Sequence, residues 1–295
     1  MPRIERRGFA TYYQQTGSGP DVVLIHAFTS NLSMWVLTGI AEALAQNLGL
    51  RVTSYDMRGH GATYVTPSGY DSATLADDLA ALMEAWQIPA AIVVGHSYGG
   101  VVAMHTAVRH PDRVRGVIVA DSYFPGLSAI EPSMPHAEPW RDLQRTLSRA
   151  GIEIGDQVDF SRLFALIQDL TADQWEALDP ILGPSGTRWL GHLKPLATTT
   201  AGHEAFEAAG LTADILRTIR QPVVGLYDEH SAFLRTSAFL QNELPSCCVD
   251  LVPGAHHLAP LDNTAAFLPL LEKHLARLTT AAGIAGSEYD RPRMA

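Results

Sequence analysis

Six short strand-like runs recur along the chain, at residues 22–25, 51–55, 91–94, 117–120, 223–227 and 249–252. Their repetition constrains the fold more than any other feature. Most are continuous apolar stretches rather than alternating ones, the pattern of strands covered on both faces. Between the second and third runs, "TLADDLAALMEAW" sets Leu75, Leu79, Leu82 and Trp86 on one helical face. After the third, "SYGGVVAMHTAVRH" carries helical sequence as far as Pro111, which ends it. Strand and helix in alternation predict the α/β class, with a doubly wound, mostly parallel sheet.

The rhythm stops after Pro125. A proline-rich loop, "FPGLSAIEPSMPHAEPW", leads into helical segments "WRDLQRTLSRA", "SRLFALIQDL" and "TADQWEAL", and no strand pattern returns until Arg217 is passed. The organisation read from this is a core of residues 1–125 and 216–279, a helical cap or lid over 126–215, and a flexible tail over 280–295. An insertion placed over a sheet commonly shapes a pocket. Its aromatics Trp140, Phe160, Phe164, Trp175, Trp189 and Phe206 suit either an apolar pocket or packing between helices. No motif in it identifies a substrate.

The 295 residues are 46% hydrophobic and 18% charged, enough for one sizeable globular core. No apolar run approaches the roughly 18 residues that a membrane span needs. The opening "MPRIERRGFATYYQQTG" reads as a short amphipathic strand pair with no apolar leader segment, so no secretory signal is expected. A net charge of −10 and the absence of a Lys/Arg block argue against nucleic acid as a partner. The two cysteines, Cys247 and Cys248, are neighbours on a strand run, where adjacent side chains point to opposite faces. They read as free thiols, which fits a reducing cytoplasm.

The joint between the third strand run and its helix is "GHSYG", Gly95 to Gly99, a G-x-S-x-G pattern in its proper strand–turn–helix context. Such a joint holds the Ser97 hydroxyl exposed in a strained turn, beside free N–H groups at a helix start that favour an oxyanion. No His-Glu-x-x-His spacing occurs, so no metal site is read.

Four segments in the same chain order resemble the α/β-hydrolase fold family, in its lidded esterase, C–C hydrolase and haloperoxidase-like branch. They are "VVLIHAF", "YDMRGHGAT", "GHSYGG" and "VPGAHHLAPLDNTAAF". The resemblance spans about residues 20–125 and 215–275 and leaves out the lid. It implies Ser97 as nucleophile and His257 as general base, with His256 at a variable position beside it. The backbone N–H groups of Phe28 and Tyr98 would form the oxyanion hole, and Ala27 stands where the family usually has glycine, which tightens that loop. His26 and His96 would support the oxyanion loop and the elbow. His60, Asp56 and Arg58 would belong to a structural turn. Relatives with dehalogenase or epoxide hydrolase chemistry need aspartate where Ser97 stands.

The third member departs from the pattern. Counting from Pro222, the family's acid position is held by Ser231, and Asp228 falls where the family has a turn glycine. Asp121, at the end of "GVIVAD", is the first candidate for the acid, with Asp228 as the alternative and Glu229 behind it. The function implied is a serine hydrolase acting on an ester, thioester or related activated carbonyl of a small molecule, with no cofactor. An acyltransferase fed by a carrier-protein or coenzyme A thioester is the alternative, with an acyl carrier protein then a partner. A non-catalytic ligand-binding relative is the third reading.

Overall fold

The strand runs join into one eight-stranded sheet. The structure, a computed structural model, describes residues 2–132 and 134–281. In chain order the strands are β1 (Arg3–Arg6), β2 (Phe9–Thr16), β3 (Asp21–Ile25), β4 (Arg51–Tyr55), β5 (Ala91–His96), β6 (Val114–Ala120), β7 (Val223–Asp228) and β8 (Cys247–Val252). They lie side by side as β1-β2-β4-β3-β5-β6-β7-β8. β1 pairs with β2, and β2 with β4, in antiparallel fashion; every other neighbouring pair is parallel. The doubly wound, mostly parallel sheet expected from the sequence is the observed architecture.

Among the described residues, the helices of eight or more residues are α1 (Ile40–Leu48), α2 (Ser72–Ala85), α3 (Tyr98–Arg109), α4 (Glu138–Ser148), α5 (Phe160–Asp169), α6 (Ala172–Leu193), α7 (Leu234–Glu243) and α8 (Thr264–Ala281). Each central strand feeds two cores. Val23 and Ile25 of β3, Val93 of β5 and Val117 of β6 pack under α2 and α3. Val22 and Leu24, Ile92 and Val94, and Ile118 pack under α1 and α8. With successive side chains on opposite faces, two buried faces require apolar residues at every position, hence the unbroken runs. Leu75, Leu79, Leu82 and Trp86 are buried together, as the helical spacing predicts. Asp71 starts α2 by accepting the N–H groups of Ala73 and Thr74 at 3.0 and 2.9 Å. The two thiols are free and divide between the cores, Cys247 on one and Cys248 on the other.

Between β6 and β7 the described residues form helices α4 to α6 and shorter helical turns, with no strand. This insertion builds its own apolar core from Trp140, Leu147, Ile154, Leu163, Phe164, Leu190 and Leu193, which Tyr70 of the sheet domain joins. A reciprocal pair begins α6: the Gln174 N–H donates to the Thr171 hydroxyl while the Gln174 side chain accepts the Thr171 N–H. The helix is broken at Gly183, whose φ of 67° leaves the helical region. α8 runs to Ala281, so its helix takes in the first two residues of the expected tail. The rest of that tail, 282–295, lies outside the described residues. No helix among the described residues is long and apolar enough to cross a membrane.

The first turn of α3 sits hard against the end of β3. A Cβ built on Gly99 would stand 2.5 and 2.6 Å from the carbonyl oxygens of Ile25 and His26. Gly99→Ala should therefore cost about 1–3 kcal/mol in urea unfolding, because backbone, not a movable side chain, fills the space.

Candidate active site

β3 and β5 are neighbours with Ile25 opposite Gly95, while β4, which follows β3 in the chain, lies on the other side. The connections after β3 and β5 thus leave in opposite directions, which opens a crevice at the C-terminal ends of these two strands. Two turns meet there: residues 27–29 after β3, and Ser97 with Tyr98 after β5. Ser97 has φ 52° and ψ −119°, a backbone seldom adopted by a residue with a side chain. Hydrogen bonds hold it so: the Ser97 N–H donates to Ala120 O at 2.8 Å, and the Gly100 N–H to Ser97 O at 3.0 Å. A Cβ on Gly95 would lie 2.1 Å from Gly99 O, so the turn closes only around glycine. The serine is left half-buried at the sheet's rim.

His257 Nε2 stands 3.1 Å from Ser97 Oγ, and its Nδ1 2.7 Å from Asp121 Oδ2. Because a carboxylate only accepts, the proton belongs on Nδ1, and the Nε2 lone pair then faces the serine hydroxyl. The Asp121 side chain is 1% exposed and its backbone φ is 44°. Among the described residues six non-glycine residues have positive φ; Ser97, Asp121 and Thr29 of the loop after β3 are three of them. Strained backbone thus gathers at this crevice.

The other two candidate acids, Asp228 and Glu229, do not hydrogen-bond the imidazole. Asp228 ends β7 beside Asp121, its own N–H 3.3 Å from Asp121 Oδ1 and its Oδ2 3.4 Å from the Ala259 N–H. Burial, then the neighbouring Asp121 charge, pushes its carboxyl up to about 8. Glu229 accepts the Gly254 N–H at 2.7 Å, and the Ser231 hydroxyl accepts the Phe233 N–H at 2.9 Å, so both are spent on local turns. His256 is exposed and its ring lies beside His230, 5.0 Å between centroids.

Three further histidines near the site, His26, His60 and His96, are structural ties. His26 Nε2 accepts the Met57 N–H at 2.9 Å and its Nδ1–H donates to Ala27 O at 2.7 Å, joining the loop after β3 to the turn after β4. His60 accepts the Thr29 N–H at 3.2 Å. Asp56 accepts the Leu32 and Ala62 N–H groups, each at 2.7 Å, and Arg58 pairs with the buried Asp78. His96, next to Ser97 in the elbow, donates its Nε2–H to His257 O at 2.8 Å and so ties the elbow to the histidine loop. Burial lowers His60 and His96 to about 4 and His26 well below its usual value, which keeps all three neutral. Ala27 is absent from the positive-φ residues, so a methyl group there adds no backbone strain. The backbone N–H groups of Phe28 and Tyr98 make no hydrogen bond among the described residues.

A family model described as the alpha/beta hydrolase fold matches residues 20–258. The chain belongs to that family. It is 29% identical over 83% of its length, and 84% of the relative's, to a 2-(acetamidomethylene)succinate hydrolase of Mesorhizobium japonicum. To a pimeloyl-[acyl-carrier protein] methyl ester esterase of Chromobacterium violaceum it is 29% identical, over 90% of this chain and 97% of the relative. Among solved structures, an enol-lactonase of Burkholderia xenovorans superposes with a TM-score of 0.67 at 21% identity, covering 93% of this chain and 99% of that one.

In this alpha/beta hydrolase a cavity of about 490 Å³ opens onto Ser97, of the size that drug-sized ligands occupy. Apart from Ser97, His96 and His257, its wall is mainly apolar. Four of the insertion's expected aromatics line it, Trp140, Phe160, Trp189 and Phe206; Phe164 and Trp175 instead pack the insertion's own core. Phe28 joins the two parts: its ring meets Tyr98 at 5.7 Å below and Phe160 at 5.3 Å and Phe206 at 6.0 Å above. Sequence reading gave Phe28 only a backbone role, and it missed Phe233, whose ring lies edge-on to His257 at 5.5 Å. No periodicity or motif marks Phe233; it is the fold of the turn after β7 that turns it inward. Among the described residues no group of three or more His, Cys, Asp or Glu side chains is placed to hold a metal.

The raised Asp228 carboxyl has a pH consequence. Between its ordinary value near 3.8 and about 8 the folded chain holds a proton that the unfolded chain has lost. Stability from this group is therefore present at low pH and falls as pH rises through that window. Asp228→Asn should flatten that fall and raise the melting temperature at pH 7–8 by a few °C, read by calorimetry across pH 4–9.

Proposed function

We propose that this alpha/beta hydrolase cleaves an ester, thioester or related activated carbonyl through a covalent acyl intermediate on Ser97. The observation that carries the reading is the unbroken contact chain from Asp121 through His257 to Ser97 Oγ. His257 Nε2 takes the serine proton as Oγ attacks the carbonyl carbon, and the carbonyl oxygen becomes the oxyanion. The free N–H groups of Phe28 and Tyr98 receive that oxyanion, with the positive end of α3 behind Tyr98. Asp121 keeps His257 in the required tautomer and balances its charge. The imidazolium then gives its proton to the leaving group. A water loses its proton to the same nitrogen, attacks the acyl carbon, and the proton returns to Oγ as the acid departs.

Both relatives named above are hydrolases, one acting on a dicarboxylate and one on a carrier-protein ester by their names, and the apolar cavity suits an acyl chain. Transfer to a non-water acceptor uses the same intermediate and becomes the reading if acyl-Ser97 outlasts water and is released by an added acceptor.

A fluorophosphonate probe should label the wild-type chain and not Ser97→Ala; equal labelling of both would end the covalent reading. Asp121→Asn should lower kcat for a short acyl ester by about 10³–10⁴, with the wrong imidazole tautomer facing Ser97. Asp228→Asn should stay within about tenfold of wild type, since its carboxyl touches neither imidazole nitrogen.

A further inference from the structure

A second, smaller cavity of about 190 Å³ shares Thr29, Ser30 and Trp189 with the cavity over Ser97. The two spaces thus adjoin along these residues, where the Trp189 indole N–H donates to Thr29 O at 3.0 Å. Their chemistry differs. The larger is apolar; the smaller is lined by Arg188, His192, Ser185, Ser30, Asn31 and Ser33, with the glycines of the turn after β4 as its floor. No Asp or Glu lines it, in a chain whose net charge is −10.

The lining is built rather than scattered. After its break at Gly183, α6 presents Ser185, Arg188, Trp189, His192 and Leu193 at helical spacing, so one stripe faces both cavities. Arg188 is exposed and makes no ion pair among the described residues. Opposite it, the Asn31 carbonyl oxygen accepts the Ser33 N–H at 2.9 Å and the Ser33 hydroxyl, which leaves the Asn31 amide group free to donate. His60, the remaining titratable group in the wall, is neutral, with its ring nitrogens engaged by Thr29 N–H and Arg58 O. An unpaired guanidinium, an imidazole, an amide and the Ser185 hydroxyl stand around a small space with no competing carboxylate, donors without an acceptor. The group that satisfies them is an oxyanion, carboxylate or phosphate, on which arginine can place two parallel N–H bonds.

We propose that this smaller cavity binds an anionic group on the substrate, whose apolar acyl part lies in the larger cavity at Ser97. The substrate class is then an acyl compound bearing a carboxylate or a phosphate a short chain away from the reacting carbonyl. For its catalytic consequence the proposal rests on Ser97 as the acyl-accepting residue; for binding it does not.

Two measurements test it. The first compares kcat/KM for nitrophenyl esters of a chain-length series ending in methyl, carboxylate or phosphate. Wild type should favour an anionic ester over its methyl isostere by about tenfold or more at low salt, with the preference shrinking as salt rises. Arg188→Gln should bring that ratio close to one, and Arg188→Lys should keep part of it. A ratio equal in wild type and Arg188→Gln overturns the proposal. A preference for one of the two anions names the source. The second titrates octanedioate and inorganic phosphate into Ser97→Ala by calorimetry, with and without Arg188→Gln. Binding weakened at least tenfold by Arg188→Gln supports the subsite even if no ester is turned over; binding of neither anion, or binding indifferent to Arg188, rejects it.

Discussion

Gly99 lies so close to the carbonyl oxygens of Ile25 and His26 that no side chain fits between α3 and the end of β3. This contact draws together the turns that follow two strands adjacent in space and distant in sequence. From it follows that Phe28 and Tyr98, one after each strand, come side by side, with their rings 5.7 Å apart. The strained Ser97 backbone follows as well, since a helix starting that near β3 leaves the serine no relaxed turn. Tertiary packing over-determines the turn, which is how positive-φ residues survive in a folded chain.

Electrostatics then sort chemically similar side chains into different states. Three buried histidines are kept neutral and serve as hydrogen-bonded struts, while His257, half-buried at the rim, has a carboxylate on one nitrogen and a hydroxyl on the other. The two aspartates that end β6 and β7 are divided in a similar way. Asp121 meets the imidazole; Asp228, packed next to that charge with one backbone N–H for company, holds its proton into the neutral range. Two adjacent buried carboxyls resist being charged together, so one partner for His257 leaves the other uncharged.

The helical insertion contributes shape. Phe28, held on the sheet domain, touches Phe160 and Phe206 from above, so aromatic faces from both parts close the space over Ser97. Trp189 borders both an apolar space and one lined by donors, and its bond to Thr29 O ties it to the loop after β3.

Much of this was legible before folding. The unbroken apolar runs stated a sheet covered on both faces, because two buried faces leave no polar position on a central strand. Gly95 and Gly99 around Ser97 announced a close approach of backbone, and residue order alone carried the family resemblance. His257 over His256, and Asp121 over Asp228, were preferences that sequence could rank and not decide. Both choices depend on distances between elements more than one hundred residues apart. The same limit hid Phe233 and the donor-lined cavity, whose residues come from α6 and the loops after β3 and β4. Local pattern determines which segments become strands, helices and tight turns, since those depend on neighbours along the chain. Which carboxylate meets the imidazole, which aromatics face the cavity and where an unpaired arginine finds open space were decided only by packing, because contact energy acts between surfaces that the linear order does not relate.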